Sequence, residues 1–432
     1  MSKTYRPWNP DQNRLLPPSP RDWVSEGDLT YFLLDVVQTL DLSPILRKYE
    51  AEGRGYPPFH PRMMVALPLY AYCRGVFSSR RIMQACEERV TFRVIVGEDI
   101  PDFRTISDFR KLHLKELEGL FVQGLRLCAE AGLVKVGLVS LDGTKVKANA
   151  SRHKAMSYEY MQKEEERLRK EMAELLAQAE EARRQAEDDA RRAAGETPRP
   201  RAPVDPTPDP KAQRNFTDPE SKIMKVPNLV LERSEGKGFE QCGNAQAVCN
   251  AEQIIVAADP SLRSRTGVTD QANDKRQVQP MVTQAQENLA AAGVEEKIGA
   301  LDADSGYYSE ENVSHLEGEK IDPYIATQRL KHHEKASCAS DPDRPPAENL
   351  TPKERMARKL RTKHGRETYA QRKGMIEPIL RDSGQVFGQI KQGRGFRQFL
   401  LRGLQKMRGE WRLICLTHNL LKLFGAQVQA AA

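Results

Sequence analysis

An apolar run, Val134, Val136, Leu138, Val139 and Leu141, delivers Asp142 to a turn at Gly143. A second run, built on Ile298 and Leu301, ends in Asp302-Ala303-Asp304-Ser305-Gly306. Short apolar runs closed by glycine turns read as buried strands. Buried strands of this kind need covering layers on both faces, and that requirement restricts the chain to an α/β arrangement. Each run also presents a carboxylate where a strand leaves its sheet.

The rest of the pattern is consistent with that layer. Residues 245–249 and 253–258 read as short strands, 277–292 as a helix, 298–302 as a strand, 308–316 as a helix and 323–326 as a strand. A last helical region begins near Tyr369, breaks near Gly384, and resumes over 411–423. Residues 328–366 are polar and basic, and read as a loop or lid.

Ahead of the first strand, residues 1–28 form a Pro-rich irregular arm. Residues 29–132 read as a helical domain, with Leu33, Val36, Val37 and Leu40 at helical spacing and Phe121, Leu125 and Cys128 repeating it later. Within it, residues 101–110 read as a turn and a helix capped near Thr105 or Ser107. Small helical modules ahead of a catalytic core commonly bind nucleic acid, although a structural role fits the pattern nearly as well.

After the first strand comes a long charged helical insertion, 157–194. Leu168, Met172, Leu175, Ala179, Ala182 and Ala186 alternate steps of four and three, an a/d seam of the coiled-coil type. Glu165–Arg169, Glu166–Lys170, Glu187–Arg191 and Asp188–Arg192 are oriented i,i+4 pairs. Residues 195–210 hold six prolines and read as an extended linker. The core domain is thereby split into 133–156 and 211–425.

Charge is uneven. Residues 353–422 carry eighteen Lys/Arg against five Asp/Glu, a balance of +13, so the remainder sums to −6 within an overall +7. A basic block of this kind points to a polyanionic partner, and each neutralised phosphate adds a salt-dependent increment of affinity. The seven cysteines include no C-x-x-C pair, which argues against a disulfide framework or a zinc site. His332, His333 and Cys338 lie in a polar stretch with no second ligand pair. No apolar run reaches the roughly 18 residues of a membrane span, and no secretory h-region opens the chain, so a soluble intracellular protein with no membrane partner is expected.

Asp142 and Asp304, together with Glu377 in the basic block, can hold two divalent cations, a standard device for phosphodiester chemistry. Each acid has a plainer reading. Asp-Gly is a common turn, Asp302 competes with Asp304 two residues earlier on the same strand face, and Glu377 could be a surface charge.

A set of ordered blocks makes the reading specific. They are His60-Pro61-Arg62-Met63-Met64, Arg104-Thr105-Ile106-Ser107-Asp108-Phe109-Arg110, Leu141-Asp142-Gly143-Thr144-Lys145-Val146, Asp218-Pro219-Glu220-Ser221 and Asn244-Ala245-Gln246. They continue with Ala303-Asp304-Ser305-Gly306-Tyr307, Tyr369 with Arg372 and Glu377, Gly388-Gln389-Ile390-Lys391, and Cys415-Leu416-Thr417-His418-Asn419-Leu420. On these the chain resembles a bacterial insertion-sequence transposase of the DDE class, and the blocks run almost end to end.

The resemblance implies a helical N-terminal domain before an RNase H-like mixed-sheet catalytic domain. It implies Asp142, Asp304 and Glu377 as the catalytic acids, holding two Mg2+ ions for which Mn2+ can substitute. Tyr369, Arg372 and Lys391 match the family's signature around the glutamate and are expected to contact DNA, with Arg394 and Arg397 beside them. The implied partners are double-stranded DNA (the element's terminal inverted repeats and its target) and a second copy of the chain in the DNA complex. A cytoplasmic, nucleoid-associated location follows.

Four departures from the family pattern stand out. Residues 379–385 are extra, which puts Lys391 fourteen positions from Glu377. Residues 260–267 are extra, Cys242 stands where an aromatic is familiar, and Pro68 interrupts a helical run. They keep open a second reading, a catalytically decayed copy that binds element ends as a repressor. A third is a nuclease that cuts without joining.

Overall fold

The computed structural model describes residues 20–50, 58–97, 99–150, 155–157, 165–166, 213–215, 222–225, 239–261, 274–328, 350–376 and 385–431. The coiled-coil seam, apart from Glu165 and Glu166, lies outside the described residues. So do the Pro-rich linker, the His332–Cys338 group and Glu377.

Among the described residues seven α-helices precede the first strand: α1 Leu29–Thr39, α2 Ser43–Glu50, α3 Pro61–Cys73, α4 Ser79–Glu88, α5 Val90–Val96, α6 Phe103–Leu112 and α7 Leu114–Glu130. α3 runs on through Pro68, fully packed on that stretch. The cap of α6 is Asp102, whose carboxylate accepts from the Arg104 amide at 2.8 Å, and not Thr105 or Ser107 as the sequence suggested.

The strands are β1 Leu138–Lys147, β2 Ala155–Ser157, β3 Gln213–Asn215, β4 Lys222–Lys225, β5 Phe239–Asn250, β6 Ile255–Ser261, β7 Ala300–Ala303 and β8 Asp322–Ile325. β2 and β3 form a separate antiparallel pair. The main sheet runs β4-β5-β1-β7-β8, with β6 also pairing β5. β1 is antiparallel to β5 and parallel to β7, and β7 is parallel to β8. The remaining helices are α8 Val278–Ala291, α9 Glu310–Gly318, α10 Pro352–Lys359, α11 Lys363–Met375 and α12 Leu404–Ala431. A short helical turn, Val386–Gly388, runs into a wider one at Gln389–Gly393 before α12.

Part of the stretch expected as loop or lid, 350–366, is therefore helical. Thr351 and Glu354 form a reciprocal capping box that starts α10. The stretch lacks an apolar stripe because α10 buries little more than Met356.

The sheet is covered on both faces. One face packs α8 and α9 over Val139, Leu141, Val256 and Leu301. The other carries Val146, Ala245, Ala247 and Cys249 into a core shared with α1–α6 and α12. The N-terminal helices thus share one apolar core with a sheet face, where the sequence suggested a boundary at residue 132. α12 is the pivot of that core. Gly124 of α7 lets Leu416 approach so closely that a Cβ there would stand 2.2 Å from Leu416 Cδ1. Asn419 clips α12 to β6, its amide bonding both the N–H and the C=O of Ile255 at 2.8 Å. Among the described residues no single helix is long and apolar enough to cross a membrane. The six described cysteines are free and buried.

Candidate active site

β1 and β7 are neighbours in parallel register, with Ser140 opposite Asp302 and Leu141 opposite Ala303. The pairing brings the ends of both apolar runs together. Asp142 sits one residue past the last position at which β1 pairs with β7, and Asp304 one past the end of β7. Asp142 Oδ1 accepts from the Gly143 amide at 2.8 Å, and Asp304 Oδ1 from the Gly306 amide at 2.7 Å. The sequence suggested a turn at Gly143, but β1 runs on through Asp142 and Gly143 to Lys147 because β5 pairs with it along that length.

Asp302 is fully buried. Its Oδ2 accepts from the Ser140 hydroxyl at 2.8 Å, and Oδ1 faces Arg372 Nε at 3.7 Å. Arg372 also places Nη2 3.1 Å from Asp142 Oδ2, with 2% of the arginine side chain and 14% of the aspartate exposed. Tyr369, one turn earlier on α11, is half-buried and hydrogen-bonds to Arg372.

Asp274 joins from the 3-10 turn Asp274–Gln277 just ahead of α8, and sequence reasoning missed it. Asn244 Nδ2 and Gln246 Nε2 both donate to its Oδ1, at 2.7 and 3.1 Å, and the Tyr307 hydroxyl donates to Gln246 Oε1. Two polar residues alternating with alanines on a central strand were the signal, since buried amides demand partners. Gly143 leaves room for this network: a Cβ there would stand 2.3 Å from Gln246 Nε2.

The electrostatics follow from burial and crowding. Burial pushes the Asp142 carboxyl up to about 6, Arg372 opposes the rise, and the charges on Asp304 and Asp274 add to it. Burial takes Asp302 up to about 7 against the Ser140 hydrogen bond and Arg372. Asp274 is raised by burial, against its amide donors. Four carboxylates gather here beside one buried guanidinium. Hard oxygen donors with uncompensated negative charge suit a divalent cation such as magnesium. Among the described residues no three ligating side chains stand close enough to hold an ion between them. Glu377 follows the end of α11 by two residues, outside the described residues.

Lys391 lies on the same side of the sheet. Its ammonium is largely buried, donates to the Lys145 carbonyl at 2.7 Å, and is lowered to about 8 by burial. Arg397 is exposed and donates to Gln392. Arg394 behaves differently from the expectation of a phosphate contact. Its guanidinium turns inward to Thr417 Oγ1 at 2.7 Å and to the Ile414 carbonyl at 3.2 Å, which makes it part of the α12 packing.

Two family models match the chain. A transposase domain (DUF772) covers residues 18–112, which hold α1–α6, and a transposase DDE domain covers residues 344–424, which hold α10, α11 and most of α12. No curated protein and no solved structure matches. Both transposase matches fall on one chain in order, and between them lie β1 and β7, which bring Asp142 and Asp304 together. Together the two matches support an insertion-sequence transposase of the DDE class.

Proposed function

We propose that this transposase binds the terminal inverted repeats of its own element, cuts DNA at those ends, and joins them to a target. The observation that carries the proposal is the meeting of Asp142 on β1 with Asp304 just past the end of the adjacent parallel strand β7, with α11, which ends two residues before Glu377, docked on Asp142 through Arg372. The strand order β6-β5-β1-β7-β8, three antiparallel strands followed by two parallel ones, supports an RNase H-like reading of the sheet.

Asp142, Asp304 and Glu377 would hold the divalent ions, with Asp274 close by. When bound, such ions activate the attacking oxygen and stabilise the leaving one. The chain's own residues prepare the ground. Gly143 and Gly306 amides fix the two aspartates, Arg372 offsets their charge, and Lys391 beside β1 supplies positive charge for a phosphate arriving at the acids. The exposed cation Arg397 suits sequence-independent backbone contact. A second DNA contact is proposed for the N-terminal helices, where Arg80 and Arg104 lie 4.8 and 5.6 Å from the Phe103 ring beside Lys111 and three serines.

The repressor reading draws on the extra residues 379–385. Lys391, which follows them, still docks on β1 three residues from Asp142, and this favours the active reading. The test is incubation of purified protein with magnesium and a labelled element-end duplex. Cleavage and strand transfer are expected with the wild type and not with Asp142→Ala. Absence of wild-type cleavage, or its persistence in the variant, overturns the proposal. Cleavage without joining of pre-cut ends would leave a nuclease.

A further inference from the structure

We infer that Asp302 is a positioning residue for α11, the helix that carries Arg372 to Asp142. Its buried carboxylate, held by Ser140, anchors Arg372 and so seats the end of α11 against β1 and β7. The catalytic part given to Asp142 rests on the proposed function; the anchoring itself does not.

Asp302 occupies a costly place. A carboxylate on a central strand, with no exposed surface, loses its hydration and has to be compensated by partners. A leucine at this position would bury more apolar area at no such cost. The partners that compensate it converge on one element. Ser140, opposite on β1, donates to Asp302 Oδ2 while standing 3.4 Å from Met375 Sδ, the last residue of α11. Asp302 Oδ1 has no hydrogen-bond partner and faces the Arg372 side chain.

Arg372 divides its fork between two strands, Nη2 toward Asp142 and Nε toward Asp302. A planar guanidinium set between carboxylates on two strands constrains the height and the rotation of the helix that carries it more than a flexible ammonium could. Tyr369, Arg372 and Met375 recur at three-residue steps, so all three lie on the helix face turned to the sheet. Ile376 is fully buried just beyond, and Glu377 is the next residue. A slip of α11 by one residue would move Arg372 by about 1.5 Å along the helix axis, enough to spoil its contact with Asp142.

A direct catalytic role suits Asp302 less well. It is sealed beneath Arg372, whereas Asp304 stands half-exposed at the open strand end. The anchor also differs in kind from the Asp142 contact, since Asp142 retains exposed surface and Asp302 has none.

The test uses the full chain with Asp302→Asn, which keeps the shape and removes the charge, and with the milder Ser140→Ala. Hydrogen exchange of the amides in residues 363–376 is expected to accelerate at least about tenfold in Asp302→Asn, a change of about 1.4 kcal/mol. Exchange in α7 and α12 should stay as in the wild type. In an Arg372→Gln background, adding Asp302→Asn should change α11 exchange no further. With element-end DNA, the expected split is a fall in kcat with unchanged DNA affinity. Unaltered protection of α11 overturns the inference. Should Asp302→Asn fail to fold, Ser140→Ala decides by the same criterion. Exchange is read without DNA or metal, so a failure of the transposition reading shows separately, as a wild type that does not cleave.

Discussion

Arg372 Nη2 stands 3.1 Å from Asp142 Oδ2 in a setting nearly closed to solvent. The same guanidinium faces Asp302, so removing it strands two carboxylates at once. Breaking a buried pair from one side typically costs about 3–5 kcal/mol. Arg372→Met is expected to lose stability in that range at about pH 8, and less at about pH 5, where both acids take up protons. Urea unfolding at the two pH values measures the difference; an equal loss at both refutes the charge account.

Proton and metal compete for the same oxygens. The folded-state values of Asp142, about 6, and Asp302, about 7, both lie above the ordinary 3.8. The folded protein therefore holds more protons than the unfolded chain across that window, and metal-free stability should fall as pH rises through it. A cation bound to ionised Asp142 reverses the trend, because it stabilises the native state by mass action. Melting with and without magnesium should show a shift at about pH 7.5 that vanishes at about pH 5. A shift that is independent of pH places the ion away from Asp142.

Asn419 closes two hydrogen bonds on the backbone of Ile255, both at 2.8 Å and both buried. Replacing it by alanine leaves an N–H and a C=O of β6 without partners, each worth about 1–3 kcal/mol. Asn419→Ala should cost about 2 kcal/mol or more in urea unfolding, with DNA contacts intact in whatever folds. A loss under about 0.5 kcal/mol means water or another group takes over the bonds.

The central strands are legible in the sequence because their apolar runs are short, and the Ser-Gly turn after Asp304 marks the end of β7. The Asp-Gly pair misleads: β1 continues through Asp142 and Gly143 to Lys147, paired with β5, so only the partner β7 ends at the acids. Asp274 is not legible as a member of the site. It follows a polar stretch, and what recruits it is the pair Asn244 and Gln246, thirty residues away along the chain for the first of them. Helix α10 and the first half of α11 escape a periodicity reading because their buried faces are narrow, and on α11 that face is made largely of Thr368, Arg372 and Met375. Hydropathy cannot count a buried arginine as core. Only the facing carboxylates of β1 and β7 explain it.

Arg394 and Arg397 stand three residues apart and look interchangeable in sequence, yet they meet different surroundings. Arg394 is consumed within the fold by Thr417 and Ile414, and burial lowers its guanidinium to about 10. Arg397 is exposed, so its charge is available to a phosphate. Arg397→Ala should weaken binding to all DNA sequences alike and reduce the slope of log affinity against log salt by about 1, leaving stability within about 0.5 kcal/mol. Arg394→Ala should do the reverse: a loss of about 1–3 kcal/mol in unfolding as the hydrogen bonds to α12 disappear, with the salt slope unchanged. Filter binding across a salt series, paired with urea unfolding, reads both quantities. A lowered slope for Arg394→Ala in fully folded protein would mean that its side chain swings out to meet DNA.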